Sequence, residues 1–224
     1  MTLPDNIATL SAIGSDEVGT GDYLGPIVVA SVYVEQSQIA ALKDLGVKDS
    51  KGLTDKRIRA IASQVKKIVP HNIITLQNDK YNKMVERGIN AHGIKSFLHN
   101  KAIGTLQSQL GFSPEYMIVD EFIAIKTHFK YLRAMQNTGK IIHNNLHFVK
   151  KGESVHVAVA AASILARDTF VESMDKLSEK LGQMIPKGAG PIVDTTAKEL
   201  VKTHGKDILN EISKRHFANT KKVL

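Results

Sequence analysis

Apolar runs along the chain predict several β-strands. The run from Ile27 to Val34 is rich in β-branched residues, which is typical of a buried strand. A second apolar run, from Tyr116 to Asp120, ends in a carboxylate. Shorter runs predict strands over His71 to Leu76 and over Ile141 to Val149.

Apolar residues spaced three and four positions apart predict helices between these strands. Thr54 is a good N-cap for one helix, and a second is predicted from about Ala91 to Leu110. A third is predicted from Val155 to about Leu181, with Ser154 as its N-cap. A last helix is predicted near Thr195 to His204. Strands that alternate with helices indicate an α/β fold with a central sheet.

The composition narrows the class of protein. With 224 residues, 42% of them hydrophobic, the chain can bury one sizeable core, so we predict a single domain over 1–224 with a helical tail from about 195. The chain has no cysteine, which excludes disulfides and thiolate-bound zinc. It has no apolar run of about 18 residues and no secretory signal, so no membrane partner and a cytoplasmic location are expected. A net charge of +8 favours a polyanionic partner.

The most informative stretch combines two carboxylates with a glycine-rich turn. Asp16 and Glu17 follow the apolar lead-in Ala12-Ile13 and precede Gly19, and the buried run comes next. Adjacent strand residues point to opposite faces, so these carboxylates converge only if the strand ends or bends there. Two carboxylates on a rigid turn suggest a hard cation such as Mg²⁺, although such a pair is also common on solvated surfaces.

The glycines do not fit a dinucleotide-binding fingerprint. That motif requires a helix after the glycines, and here a strand is predicted instead. Asp120 strengthens the cation hypothesis. If its strand lies parallel beside the first strand, Asp120 lies next to Asp16, at the edge of the sheet where sites usually form.

Segments along nearly all of the chain after about residue 12 resemble one known family, including a pattern over 81–100 with Asn90 and Lys95 and the stretch Asp120-Glu121-Phe122. The stretch 14–26, which reads GSDEVGTGDYLGP, resembles the first motif of the type 2 ribonucleases H, and specifically of ribonuclease HIII. The sister family, ribonuclease HII, usually has Arg at the position of Thr20. The segment 48–54 resembles the family motif DSK-x-L-T, and 214–222 resembles the C-terminal end of ribonuclease HIII. Lys151-Gly152-Glu153-Ser154 with the small run from Ala160 to Ile164 resembles a further family signature, in which ribonuclease HII has Asp where this chain has Glu153.

The resemblance implies a fold, a reaction and a set of site residues. The fold is ribonuclease H-like, with a mixed central β-sheet flanked by helices. The reaction is endonucleolytic cleavage of the RNA strand of an RNA/DNA hybrid, leaving 5′-phosphate and 3′-hydroxyl ends, with two divalent ions, Mg²⁺ or Mn²⁺, per active site. The catalytic and metal-binding residues are Asp16, Glu17, Asp120 and Glu153. The substrate-binding residues are Gly19, Thr20, Gly21, Lys51, Asn90, Lys95 and Lys187. His99 and Asp168 are interpreted as structural.

Two alternatives and one departure from the family accompany this interpretation. The alternatives are cleavage at single ribonucleotides in DNA, as in ribonuclease HII, and a non-catalytic nucleic-acid-binding module. Typical ribonuclease HIII has an N-terminal domain, similar to TATA-binding protein, that holds substrate. About a dozen residues precede the first predicted strand, so we expect either a chain that naturally lacks that domain or one trimmed of it, and a lower affinity for substrate in either case. A monomer is also expected.

Overall fold

The computed structural model describes residues 3–47, 52–135 and 139–224. Within these ranges, five strands form one mixed sheet. The strands are β1 Ala12–Val18, β2 Ile27–Val34, β3 His71–Leu76, β4 Met117–Asp120 and β5 Leu146–Val149. Their order across the sheet is β3-β2-β1-β4-β5. β4 runs parallel to both of its neighbours, β1 and β5, so Asp120 lies at the same edge of the sheet as the end of β1.

Ten α-helices are described. They are α1 Ile39–Asp44, α2 Asp55–Ile68, α3 Asn78–Glu86, α4 Ala91–Leu110, α5 Ile125–Ala134, α6 Gly152–Val155, α7 Val157–Leu181, α8 Pro191–His204, α9 Ile208–Ile212 and α10 Asn219–Val223. Two single-turn 3₁₀ helices occupy Ile7–Thr9 and Gln36–Gln38. None of the helices in the described ranges is both long and apolar enough to span a bilayer. The predicted fold class, helices flanking a mixed sheet, is confirmed.

Several local predictions are confirmed. β2 covers the predicted apolar run and is buried at every position. α4 has the predicted bounds, and the Thr54 hydroxyl accepts a hydrogen bond from the Arg57 N–H at the start of α2. The last of the predicted helices begins at Pro191 rather than near Thr195.

Two local predictions are wrong. The strand predicted from Ile141 is shorter, because β5 begins only at Leu146. Ser154 does not cap the long helix, since it lies inside the one-turn helix α6. His156 caps α7 instead: its Nδ1 accepts a hydrogen bond from the Ala158 N–H at 3.0 Å, while Nε2 donates to the Leu10 carbonyl at 2.9 Å.

The two faces of β1 and β4 pack against different helices. On one face, Ile13 and Val119 join the α4 residues Ile103 and Leu106 in an apolar cluster. On the other face, Ala12 and Ile118 pack with Val159 of α7. This alternation follows from the two-residue repeat of a strand, and it determines which helix each carboxylate of β1 meets.

The chain comprises two compact units. The first unit contains Met1–Glu17, Val29–Ile74 and His92–Asp168, and the second contains Val18–Val28, Thr75–Ala91 and Thr169–Leu224. Asp16, Glu17, Asp120 and Glu153 all belong to the first unit, whereas the glycine-rich turn and the C-terminal helices belong to the second. The single domain over 1–224 stays a prediction.

Candidate active site

The adjacent carboxylates of β1 face opposite sides of the sheet. Ser15 and Glu17 face α4, where both contact His99, and Asp16 lies on the side of α7 and hydrogen-bonds Ser163. β1 continues through Val18, so the bend that would make the two side chains converge is not formed at these residues. The alternation of an extended strand therefore decides their directions.

Gly14 allows α7 to lie directly against β1. A Cβ built at Gly14 would lie 2.2 Å from both the Ala158 carbonyl carbon and the Val159 nitrogen. Only a residue without a side chain permits this approach of strand and helix backbones. The approach places Ser163 of α7 beside Asp16 of β1.

Asp120 is fixed to the segment that carries Glu153. β4 pairs with β5 up to Asp120 and Val149, and the chain then turns through Lys151, which has a left-handed φ of 55°. The Gly152 N–H donates to Asp120 Oδ1 at 2.8 Å. Glu153 is the next residue, inside α6, so the end of β4 and the start of α6 bring two of the predicted carboxylates into neighbouring positions.

Asp16 lies in a crowded acidic environment. Burial is the main cause that raises its pKa to about 8, and the charges of Glu17 and Asp120 raise it further. Hydrogen bonds from Ser163 and from the Glu17 N–H, the latter at 2.7 Å, lower the pKa of Asp16, but by less than burial and the two charges raise it. A carboxyl group with these neighbours is stabilised in its ionised form by a nearby cation.

Glu17 has cationic and hydrogen-bonding partners on α4. Its Oε1 accepts from Lys95 Nζ at 2.9 Å, and its Oε2 accepts from His99 Nε2 at 2.9 Å. Burial alone would raise its pKa, but the hydrogen bonds and charges of His99 and Lys95 outweigh burial and lower the pKa to about 2. Glu17 is therefore ionised at neutral pH.

Aromatic and hydroxyl groups hold the partners of Glu17 in place. The His99 ring is fully buried, and its Nδ1 lies 2.8 Å from Ser15 Oγ. Phe122, two residues after Asp120, stacks on His99 with ring centroids 5.1 Å apart. The same ring lies 4.4 Å from Lys95 Nζ, a cation–π contact.

The sequence reasoning missed the role of this group. The sequence predicts a structural role for His99, and the structure adds that His99 hydrogen-bonds a predicted catalytic carboxylate. The available signal was the spacing of four residues between Lys95 and His99, which places both on one face of α4. Asp168 does have a structural contact, an ion pair with Lys66 at 2.7 Å.

The glycine-rich turn is organised separately, within the second unit. Gly19 has a φ of 95°, and a Cβ there would lie 2.2 Å from the Pro26 carbonyl oxygen. Lys214, fully buried, donates from Nζ to the Asp22 carbonyl at 2.8 Å and to the Gly25 carbonyl at 2.6 Å. The turn therefore has a fixed backbone shape, and Gly21 remains exposed on it.

The predicted substrate-binding residues lie in different parts of the structure. Lys51 lies outside the described residues. Asn90 and Lys187 are exposed and lie in the second unit with Gly19, Thr20 and Gly21. Lys95 is 11% exposed and is paired with Glu17.

No three His, Asp or Glu side chains form a cluster that could hold a metal ion in the part of the chain that the structure describes. Glu17 faces Lys95 and His99 in this conformation. Asp16, Asp120 and Glu153 nevertheless supply the carboxylate oxygens that Mg²⁺ and Mn²⁺ prefer, and the crowding around Asp16 is the environment that a cation relieves.

The parallel strands β1 and β4, which carry Asp16 and Asp120 near their C-terminal ends, and the α7 helix packed on them fit the class of ribonuclease H-type nucleases, which the comparisons identify. The family model of ribonuclease HII matches residues 13–220. Ribonuclease HIII of Bacillus cereus is 49% identical over 222 residues, which cover 99% of this chain and 70% of the relative. Ribonuclease HIII of Bacillus mycoides is 49% identical over 220 residues, covering 98% of this chain and 70% of the relative. The chain therefore belongs to the type 2 ribonuclease H family and, within it, to ribonuclease HIII.

Solved structures agree with this assignment. The crystal structure of Bst-RNase HIII in complex with Mn²⁺ matches with a TM-score of 0.93 and 46% identity, covering 97% of this chain and 70% of that one. Ribonuclease H2 from Pyrococcus horikoshii shares the fold, with a TM-score of 0.78 and 23% identity over 96% of this chain and 97% of that one. The predicted ribonuclease H fold is confirmed, and the chain is an endoribonuclease.

Proposed function

We propose that the chain cleaves the RNA strand of RNA/DNA hybrids, leaving 5′-phosphate and 3′-hydroxyl ends. Two divalent ions, Mg²⁺ or Mn²⁺, would be held by Asp16, Glu17, Asp120 and Glu153. The observation that supports this best is the burial of Asp16 beside the charges of Glu17 and Asp120, an arrangement that is costly without a cation. The Mn²⁺ complex of Bst-RNase HIII supports the choice of ion.

The bound ions would activate the attacking water and stabilise the leaving oxygen. Neighbouring groups of the protein orient two of the carboxylates that would hold the ions. Ser163 and the Glu17 N–H fix the carboxyl group of Asp16, and the Gly152 N–H fixes Asp120 at 2.8 Å. Because these partners are backbone groups or lie on α7, they hold the carboxylate oxygens of Asp16 and Asp120 in defined positions.

The second unit supplies the contacts that distinguish RNA from DNA in this proposal. Gly21 has no heavy atom within 4 Å of a Cβ position, so its exposed backbone can approach a minor groove that displays 2′-hydroxyl groups. Asn90 and Lys187 are exposed, and we propose that their side chains contact the sugar-phosphate backbone of the substrate. We propose the same contact for Lys51. The monomeric state and the cytoplasmic location stay predictions.

The decisive test is a cleavage assay with labelled duplexes. An RNA/DNA hybrid, a DNA duplex and a DNA duplex with one ribonucleotide are each incubated with Mg²⁺, with Mn²⁺ or with excess EDTA. We expect cleavage of the hybrid with either ion, no cleavage of DNA, and no activity in EDTA. Preferred cutting at the single ribonucleotide would instead indicate ribonuclease HII specificity.

A matched pair of variants locates the site. Asp16→Asn removes a proposed ligand, whereas Asp168→Asn removes a carboxylate that pairs with Lys66 and is not a proposed ligand. We expect hybrid cleavage to be lost in the first variant and retained in the second. Full activity of Asp16→Asn would contradict the proposed site.

A further inference from the structure

The two carboxylate oxygens of Glu17 have partners of different mobility. Oε2 accepts from His99, whose ring is fully buried and lies between Ser15 and Phe122. Oε1 accepts from Lys95 Nζ at 2.9 Å. That ammonium lies at the end of a flexible four-carbon side chain, and its side chain is 11% exposed. The His99 contact is therefore fixed, and the Lys95 contact can exchange.

Lys95 has a second favourable contact besides Glu17. The Phe122 ring centroid lies 4.4 Å from Nζ, so the ammonium already contacts the face of the ring. A cation over an aromatic face keeps part of its stabilisation when its carboxylate partner is lost. Lys95 can thus leave Glu17 without becoming a buried and unpaired charge.

We propose that Lys95 is an exchangeable counterion of Glu17. It holds Oε1 while no divalent cation is bound, and it releases that oxygen when a cation binds, while His99 keeps the carboxylate oriented through Oε2. The inference rests on the proposed metal site. It also explains how one lysine can contact a carboxylate in this structure and still be a candidate for a substrate phosphate: the released ammonium becomes available to an anion after the ion has bound.

The physical basis is competition for one set of lone pairs. The Lys95 ammonium, 2.9 Å from Oε1, already uses part of the lone-pair density of that oxygen and neutralises part of its charge. A divalent cation and an ammonium at the same oxygen also repel each other. Ion binding therefore includes the cost of breaking the Lys95–Glu17 pair, and removing Lys95 should remove that cost.

Calorimetric titration of the metal-free protein with Mn²⁺ tests the proposal. We expect Lys95→Met to bind Mn²⁺ about tenfold more tightly than wild type, within the roughly 5–150-fold range typical of coupling between sites. Lys101→Met is the matched control, because Lys101 lies on the same helix but over the Phe97 ring. Its Mn²⁺ affinity should equal that of wild type. Unchanged or weaker Mn²⁺ binding by Lys95→Met would overturn the proposal.

Thermal unfolding gives a second readout that does not depend on activity. In EDTA, Lys95→Met should unfold at a lower temperature than wild type, because Glu17 has lost a partner. In saturating Mn²⁺ this deficit should shrink, since the ion-bound protein no longer uses the pair. An equal deficit in both conditions would show that the pair persists with the ion bound, and would contradict the exchange.

A double-mutant cycle separates exchange from long-range electrostatics. On a Glu17→Gln background the ion pair is absent, so Lys95→Met should no longer tighten Mn²⁺ binding. The same tightening on both backgrounds would reduce the effect to simple charge repulsion and overturn the proposal. Wild-type protein that binds no Mn²⁺ would overturn the metal site and the exchange together, whereas normal binding with no effect of Lys95→Met would overturn the exchange alone.

Discussion

Each unit of the molecule buries a lysine, but the surroundings of the two lysines differ. In the first unit, Lys95 contacts a carboxylate, Glu17, and the face of an aromatic ring. In the second unit, Lys214 donates to the carbonyl oxygens of Asp22 and Gly25, which carry only partial charges. Burial lowers the pKa of Lys214 to about 7, and the charge of Asp22 offsets this only in part.

The difference shows how each unit uses its buried charge. In the first unit, formal charges of opposite sign are concentrated around β1. Removing one of them changes the net charge near the position where an ion would bind. In the second unit, one amine connects two carbonyl groups and fixes the shape of a turn. The first arrangement suits chemistry on charged groups, and the second suits a rigid surface for recognition.

The largest effect is expected where a proposed ligand loses its charge. Glu153→Gln keeps the shape of the side chain, and we expect turnover to fall at least about a hundredfold, equivalent to about 2.7 kcal/mol of barrier. Glu153→Asp should keep partial activity, since ribonuclease HII has Asp at this position. Steady-state kinetics on a labelled hybrid at saturating Mn²⁺ measure the change. Turnover near the wild-type value in Glu153→Gln would leave Glu153 as a residue of α6 without a role in the reaction.

Two glycines, one in each unit, should respond very differently to alanine. Gly14→Ala would place a Cβ 2.2 Å from the α7 backbone, which neither β1 nor α7 can avoid without moving. We expect unfolding in urea to show a loss of about 3 kcal/mol or more, the upper part of the range for overpacking. Gly21→Ala meets no atom within 4 Å and should change stability by less than about 0.5 kcal/mol.

The same pair of variants also tests the role of the turn. If the backbone at Gly21 approaches the substrate, Gly21→Ala should raise the KM for hybrid while leaving stability unchanged. A normal KM would show that this part of the turn does not contact the nucleic acid.

The unit with the carboxylates should lose stability as the pH rises. The pKa of Asp16 is about 8 in the folded protein, above its usual value of 3.8, so the folded state binds more protons between those two pH values. In EDTA, the free energy of unfolding should therefore fall from about pH 4 to pH 8 through this group. Asp16→Asn should be more stable than wild type, and the difference should grow over that range. A constant difference would mean that Asp16 titrates normally.

The free energy of unfolding should depend on pH in the opposite direction through Lys214, and over a higher pH range. Because its pKa is about 7 when folded and 10.5 normally, the unfolded state binds more protons between those values. Its contribution to stability should therefore rise with pH from about 7 to 10.5, with a slope of at most about 1.36 kcal/mol per unit. Lys214→Met should lack this rise, and Lys101→Met should keep it. Urea unfolding at several pH values compares the three proteins.

The sequence predicted the features that depend on local pattern. Apolar runs located β2 and β4, and a capped apolar stripe located α2. The position of Asp120 beside β1 followed from one topological rule about parallel strands, and the register of β1 and β4 agrees with it.

The partners of the buried charges could not be predicted in this way. Glu17 pairs with residues 78 and 82 positions later, and Lys214 with carbonyls 189 and 192 positions earlier. Such contacts depend on which face of β1 meets α4 and on where the chain returns to the turn, and neither is encoded in the local pattern. The cap of α7 was missed for another reason: His156 uses a ring nitrogen where Ser154 offered a better-known hydroxyl.

The contacts of the glycine-rich turn with the C-terminal helices also fix an order of events during synthesis. Gly25 N–H donates to the Ile212 carbonyl, Lys214 N–H donates to the Tyr23 carbonyl, and the Tyr23 hydroxyl lies 3.1 Å from the Thr220 hydroxyl. A chain still on the ribosome can form β1 and β2 long before residues 212–220 have emerged. The turn is synthesised first, but it can form these contacts only after residues 212–220 have been synthesised as well. In the proposed function, the shape of the turn that contacts substrate is therefore among the last features that a newly made chain acquires.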